Sequence, residues 1–297
     1  MQIEPRPFGQ LLGDAMNSLA RTWKSLISSA LWAFIPAGFA GFLVFRLSDA
    51  TEFLDLVFNN PTLLDTLPSD AVLDLAWPFF RAAAATVLIQ ALAAVFVYIA
   101  SHRVIATDAA GFMMSGSEAR RFALRRYAFG LVTGLVALLA IGGLLVAGLI
   151  AWFVPLGIVG TPTTTSLFIA FVLSLVLLGP GLWLAVMLSM WSSVVAVERR
   201  GIIGSLRRSF QLVRGRWWPT LGYLLVVGLL GSIAIQLIQL VAIPLAFVGQ
   251  MGLGITIGAL LIVVAQGLIV AGIAAMYTTW YLDLRARKER LLSDELL

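Results

Sequence analysis

Two long stretches of the chain contain no charged residue: Tyr127 to Val197 and Trp217 to Leu282. About twenty consecutive apolar residues span a bilayer, so each stretch has room for two crossings. Composition agrees, since 60% of the 297 residues are hydrophobic and 12% charged, whereas a soluble domain is nearer a quarter charged. A backbone in hydrocarbon must satisfy its own hydrogen bonds, which leaves helices or a closed barrel. Barrel strands alternate apolar and polar residues. These runs are apolar on every side, and an all-α polytopic membrane protein follows.

Six spans are expected, near 25–46, 80–102, 127–153, 167–197, 218–245 and 253–282. Pro36, Pro180 and Pro244 fall inside spans and mark kinks, foremost at Gly179-Pro180-Gly181, because neighbouring groups re-satisfy the freed carbonyl. The first apolar run starts near Ser25 with no small-residue cleavage pattern after it, so a cleavable signal peptide is not expected.

Charge placement sets the orientation. Basic residues gather in segment 1–25 (Arg6, Arg21, Lys24), in 103–126 (Arg103, Arg120, Arg121, Arg125, Arg126), in 198–216 (Arg199, Arg200, Arg207, Arg208, Arg214, Arg216) and in the tail (Arg285, Arg287, Lys288, Arg290). All four segments fall on one side of the six spans, and the positive-inside rule puts that side, with both termini, in the cytoplasm. Arg46 and Arg81 border the outer segment 47–79, which carries Asp49, Glu52, Asp55, Asp65, Asp70 and Asp74. TEFLDLVF and PTLLDTLPSDAVLDLAW in that segment space apolar residues three and four apart, the pattern of short surface helices. Calcium sites use dense oxygen ligands on a short loop. These acids are dispersed, and a solvated acidic face is expected.

Three similar basic segments precede the first, third and fifth spans: FGQLLGDAMNSLARTWKSL, SGSEARRFALRRYAFGL and GIIGSLRRSFQLVRGRWWPTLG. In the last, Ile202, Ile203, Leu206, Phe210, Val213 and Trp217 recur every three or four residues, with Arg200, Arg207, Arg208 and Arg214 on the remaining faces. In the first, Phe8, Leu11, Leu12, Ala15, Leu19 and Trp23 do the same; Ala15-Met16 aligns with Ser209-Phe210 and Trp23 with Trp217. In the middle segment, Ser115-Gly116-Ser117-Glu118 has the form of a capping box. The chain therefore reads as three tandem units, approximately 1–110, 111–198 and 199–297, each led by a cytoplasmic interfacial amphipathic helix.

A helix with basic residues on one face and apolar or Trp residues on another suits the headgroup plane. Arg200, Arg207, Arg208, Arg214, Arg216, Trp217, Trp218, Trp23, Lys24, Arg125 and Arg126 are the candidate headgroup and interface residues. Arginines this close to spans meet anionic lipid headgroups before any nucleic acid, although a protein-docking surface is the alternative use of the same face.

The segments PFGQLLGDAMNSLARTWKSL, SLRRSFQLVRGRWWPTLG and the exit YLDLRARKER (Tyr281 to Arg290) resemble the bacterial glycerophosphoryl diester phosphodiesterase membrane-domain proteins and related uncharacterised six-span proteins. The likeness covers most of the chain apart from 47–79. It implies an integral domain of the bacterial cytoplasmic (inner) membrane that places a protein partner at lipid. Some members join this domain to a phosphodiesterase barrel, whose carboxylates and histidines have no counterpart in these residues, so the resemblance does not carry that activity.

No catalytic or metal-ligating constellation emerges. There is no cysteine, which excludes thiolate metal sites and disulfides. The lone histidine, His102, reads as an interfacial residue at the inner end of the second span. No carboxylate enters a span core, which argues against a proton relay, and no cofactor motif or P-loop occurs. Gln90, Gln236, Gln239 and Gln266 enter spans, as does Thr133; they bond neighbouring helices or line a polar intramembrane cavity. Gly130-xxx-Gly134 and Gly254-xxx-Gly258 suit close packing within the chain or in a homo-oligomer. Asp283 four before Arg287, and Arg285 four before Glu289, support a last helix that runs on past the membrane. The expected function is a non-enzymatic scaffold or accessory module. Its alternative is a lipid or amphiphile permease-like module built on the glutamines.

Overall fold

Charge-free runs of this length leave the backbone no choice but helix, and a computed structural model of the chain shows the result. It describes residues 5–59, 62, 66–159, 163–198, 200–248 and 253–289. The helices are α1 (Phe8–Leu47), α2 (Ala50–Asn59), α3 (Ser69–Ala109), α4 (Gly116–Val159), α5 (Thr164–Leu188), α6 (Trp191–Val197), α7 (Ile202–Val213), α8 (Trp217–Val248) and α9 (Leu253–Lys288). Six spans are long and apolar enough to cross a membrane: α1, α3, α4, α5 continued by α6, α8 and α9. The chain is a multi-pass membrane protein. Arg199, Arg290, Asp65 and most of the connections at 160–162 and 249–252 lie outside the described residues.

Consecutive spans pair as hairpins, α1 with α3, α4 with α5, and α8 with α9. The α1–α3 hairpin is central: α1 also packs on α9 and α4, and α3 on α4, α6 and α9. The α4–α5 and α8–α9 hairpins flank it, and α7 lies against α4, α5, α6 and α9 at the end that carries the arginines, here called the basic end. Most large buried side chains gather towards this end. Met190, Leu212, Tyr223, Trp280, Tyr281 and Leu284 form one core, with the Tyr223 and Trp280 rings stacked at 4.8 Å. Phe34, Phe96, Val97, Ile99 and Ile105 form the other.

Four details differ from the sequence reading. The basic leaders of the first and second units are not separate helices, because α1 and α4 run unbroken into their spans. Only the third unit breaks. Gly215 adopts a left-handed φ of +83° just past the end of α7, and Pro219 sits in the first turn of α8, an arrangement that ends one helix and starts the next. The α1 and α4 leaders have neither signal. Secondly, beyond the still helical Gly179-Pro180-Gly181, where a kink is expected, the fourth span has an interruption that the sequence reading does not name, at Ser189 and Met190. There the Ser209 hydroxyl of α7 accepts from the Met190 N–H at 3.1 Å and donates to the Met187 carbonyl at 3.0 Å. A hydroxyl from another helix thus replaces the lost ladder bonds. Thirdly, one of the two expected surface helices after α1 is α2, but the other is the start of α3 and continues into the span. Fourthly, His102 is 0% exposed and enclosed by protein.

Other local expectations hold. Ser115 and Glu118 make reciprocal capping bonds, Ser115 N–H to Glu118 Oε2 at 2.9 Å and Glu118 N–H to Ser115 Oγ at 3.3 Å. The last helix extends to Lys288 with the Asp283–Arg287 ion pair at 2.6 Å and Arg285–Glu289 at 3.5 Å. Gly130 and Gly134 face Ile99 of α3 and Trp191 of α6, so this close-packing face is used within the chain. Gly254-xxx-Gly258 falls in a stretch of α9 whose side-chain surroundings are largely outside the described residues.

Candidate functional site

The basic end is organised by α7. Its expected apolar stripe meets the protein only in part: Val213 is buried and Phe210 and Trp217 pack against the core, while Ser205, Ser209 and Leu212, outside the stripe, are buried too. Ile203 is 80% exposed, and Leu206 and Phe210 are half-buried. Small serines let α7 lie close against α5 and α6, and Ile203 is left at the outer margin. The matching positions of the α1 leader are buried alike: Leu11 with Ser205, Ala15 with Ser209, Ser18 with Leu212. At the C-terminal end of α7, the Lys288 ammonium of α9 donates to the carbonyls of Gln211 and, at 2.8 Å, Arg214. It thereby satisfies acceptors that a helix end leaves orphaned.

This placement sorts the arginines. Arg208 turns inward, contrary to its expected headgroup role. Its Nε donates to both oxygens of Glu198 at 2.9 and 3.0 Å, and its guanidinium also meets Glu289. The reason is helical register, since Arg208 shares the face of Ser205 and Leu212. Glu198 collects further partners: Arg200 Nε at 2.7 Å, the Tyr281 hydroxyl at 2.9 Å and Arg285 at 3.7 Å. Burial pushes the Glu198 carboxyl up, but the hydrogen bonds from Arg208 and Tyr281 and the charges of Arg208 and Arg285 outweigh it and hold the group below its ordinary range.

Arg207 and Arg214, two turns apart on α7, remain exposed. They flank a shallow cleft of about 410 Å³ floored by Leu188, Leu206 and Phe210. Arg216 is exposed beside them, Trp218 is 76% exposed, and Trp217 stands edge-on to Trp218 with its indole N–H on the Trp183 carbonyl at 3.4 Å. The other interface candidates lie elsewhere around the rim. Trp23 is half exposed under the Lys24 ammonium, Arg125 is exposed, and Arg126 stacks over Phe129 at 5.6 Å.

Sequence reasoning missed a buried polar cluster beneath this end. His102 Nδ1 lies 2.7 Å from Thr278 Oγ1, and its Nε2 lies 2.9 Å from Ser192 Oγ. The ring stacks on Tyr98 at 5.8 Å. The cluster ties α3, α6 and α9 together. The signal available in the sequence is a shared position: His102, Ser192 and Thr278 lie six, six and five residues before the acids Asp108, Glu198 and Asp283. The acids that close those spans act alike. Asp108 takes Arg21 at 2.7 and 3.1 Å and Ser18 at 2.6 Å, and Asp283 takes Arg287 and the Arg6 backbone N–H at 2.9 Å.

The glutamines do not form a comparable cluster. Gln236 is exposed on α8, Gln239 and Gln90 are half-buried, and Gln266 on α9 has its side-chain oxygen buried with no hydrogen-bond donor. Thr133 is satisfied by its own helix, at the Phe129 carbonyl. Among the described residues, no three His, Asp or Glu side chains converge as a metal site would require.

No curated protein and no solved structure matches the chain. A family model does match, over residues 9–284, which takes in all six spans and the basic end. The chain belongs to the family described as a domain of unknown function, DUF7847.

Proposed function

We propose that this protein is a non-enzymatic integral membrane scaffold or accessory module of the bacterial inner membrane. Its basic end and both termini face the cytoplasm, where it holds anionic lipid and a protein partner. The observation that carries this reading is the sorting of arginines on α7. Arg208 is committed to the fold by Glu198 and Glu289, while Arg207 and Arg214 stay exposed on either side of an apolar cleft. Exposed cations over an apolar floor suit phosphate headgroups with the chain region below. The resemblance to phosphodiesterase membrane domains, which implies an integral domain that places a partner at lipid, is in keeping with the same role.

Extraction into native-lipid discs followed by mass spectrometry tests it. A stoichiometric protein partner is expected, together with anionic lipid that is lost in Arg207→Gln/Arg214→Gln. Loss of an enzymatic turnover in the purified protein on changing one or two residues would overturn the scaffold reading. Orientation is tested separately. The chain has no cysteine, so Ser115→Cys in intact cells should resist an impermeant maleimide and Asp70→Cys should react.

A lipid or amphiphile permease-like module is the second reading, favoured by the undonated Gln266 oxygen inside the bundle. It requires movement of lipid in reconstituted vesicles that is abolished in Gln266→Leu. A second copy of the chain as a homo-oligomeric partner would be visible in the same discs.

A further inference from the structure

A second groove lies away from α7 and from the glutamines, between α1, α3 and α4. It measures about 930 Å³, within the size range of sites that enclose a small-molecule ligand. Its walls are apolar. Ala33, Ala37 and Ala93 leave the room, and Trp32, Ile35 and Leu124 stand along its rim, each about half exposed. The groove therefore opens sideways, towards lipid, rather than towards water. Its α1 wall runs from Ser28 to Ala37, about 14 Å at the helical rise, close to the ~15 Å hydrocarbon depth of one leaflet.

One end of the groove is charged. Arg120, on the first turns of α4, lines it and donates to the Ser28 hydroxyl. Gly116 permits that contact, since a Cβ there would meet the Ser28 side chain at 2.9 Å. Arg120 is half-buried and, among the described residues, no carboxylate reaches it. Arg208 and Arg21, by contrast, each hold an acid. The Tyr127 hydroxyl, which also lines the groove, is already used, because it donates to the Leu92 carbonyl at 2.9 Å.

We infer that this groove binds one anionic phospholipid, with an acyl chain laid along Trp32, Ile35 and Phe96 and the phosphate at Arg120. The positive end answers the headgroup, and the leaflet-length apolar channel answers the chain. The site is independent of the α7 cleft and does not rest on the scaffold reading. Arg120 gives the headgroup preference, and the alanines that leave space for a chain give the affinity common to all phospholipids.

The test is native mass spectrometry of the full chain, purified in detergent and titrated with phosphatidylglycerol or phosphatidylcholine. With the α7 cleft disabled by Arg207→Gln/Arg214→Gln, the chain should still retain one lipid and prefer phosphatidylglycerol. In that background Arg120→Gln should weaken phosphatidylglycerol binding about five- to tenfold, as loss of one interfacial cation implies, and remove the preference. Arg120→Lys should restore most of it, which separates charge from folding. Ala93→Leu, which fills the groove, should reduce both lipids together, while Arg207→Gln/Arg214→Gln should leave this lipid in place. The inference is overturned if Arg120→Gln keeps the wild-type preference, if the lipid is lost only in the α7 variant, or if a second copy of the chain persists over the groove in phosphatidylcholine discs.

Discussion

The two ends of the bundle are packed by different means. At the basic end, long uninterrupted stretches are buried, Ser101 to Thr107 of α3 and Ser192 to Val197 of α6, and polar groups are woven into the packing. At the acidic end, where Glu52, Asp70 and Asp74 are exposed, the rings of Phe45, Phe53 and Phe80 gather around Phe79, and further along the spans small residues set the helix contacts. Gly41 meets Thr86, and Gly148 sits against Leu178 so closely that a Cβ would lie 2.7 Å from its side chain and 3.1 Å from its backbone nitrogen. Between membrane helices lipid is as apolar as leucine, so close backbone approach and hydrogen bonds do the work that hydrophobic burial does in water. The basic end uses both. The acidic half relies on close approach and on the Phe79 ring cluster, and others of its large side chains, such as Leu138, Phe168 and Leu240, face outward. The contrast teaches that fold specificity resides at the basic end.

The strongest way to break that contrast is Glu198→Ala. It strips Arg208, whose side chain is 12% exposed, of one of its two acids, leaving Glu289, and removes the carboxylate that accepts from the Tyr281 hydroxyl. Breaking a buried pair by removing one partner costs about 3–5 kcal/mol. Thermal unfolding in lipid discs, followed by tryptophan fluorescence, should show the largest loss in this series. The pH dependence has a definite sign. The folded carboxyl is held below its ordinary 4.5, so its contribution is complete above that value and disappears as pH falls through the depressed one. Wild type should lose stability on acidification from neutral pH to about pH 3, and Glu198→Ala should lose less over the same interval.

His102→Ala ranks second. The ring is fully enclosed and meets Thr278 and Ser192. Its removal leaves a cavity and two hydroxyls without that partner, about 2–3 kcal/mol together. His102→Gln, which can still bond both hydroxyls, should recover part of the loss in the same unfolding measurement. Recovery by His102→Leu to the same extent would mean that volume alone matters there, and the polar account of the basic end would fail.

Much of the architecture is legible in the sequence because hydrocarbon is a severe solvent. Absence of charge over Tyr127 to Val197 forces spans, and arginine placement divides the two ends. The capping box at Ser115 is legible because it is local. What escapes is the set of contacts made across units. The α7 helix has an apolar stripe in the sequence, yet its buried face also takes in Ser205 and Ser209, because close approach to the interrupted fourth span needs small side chains and a hydroxyl. Arg207 and Arg208 are equivalent in composition, and only the position of Glu198 separates one left exposed from one drawn into the core. His102 looks interfacial because its partners Ser192 and Thr278 are remote in sequence and common in type. The Arg120 groove is equally silent, since its room comes from alanines on two helices that no periodicity singles out.

Gly148→Leu sharpens the other side of the comparison. It forces a side chain into the α4–α5 contact, where the Leu178 backbone cannot withdraw. Overpacking of this kind costs about 1–3 kcal/mol, and the cost should be confined to the α4–α5 hairpin. Hydrogen exchange in discs should show faster exchange there and unchanged protection in α3 and α9.

The smallest effect belongs to the exposed acids. Asp74→Asn changes a side chain on the solvent face of α3 near its start, and a surface substitution away from caps and pairs stays within about 0.5 kcal/mol. The comparison is with Asp283→Asn, the same change at the other end, where the carboxylate accepts from Arg287 and from the Arg6 backbone N–H. Asparagine keeps one acceptor and loses the charge, so Asp283→Asn should loosen the docking of the N-terminal segment on α9, read as faster proteolysis near Arg6. Asp74→Asn should leave that cleavage untouched. Equal, small effects from both would mean that acids at the two ends are interchangeable, and the division of the bundle into a specified half and a lipid-supported half would lose its electrostatic basis.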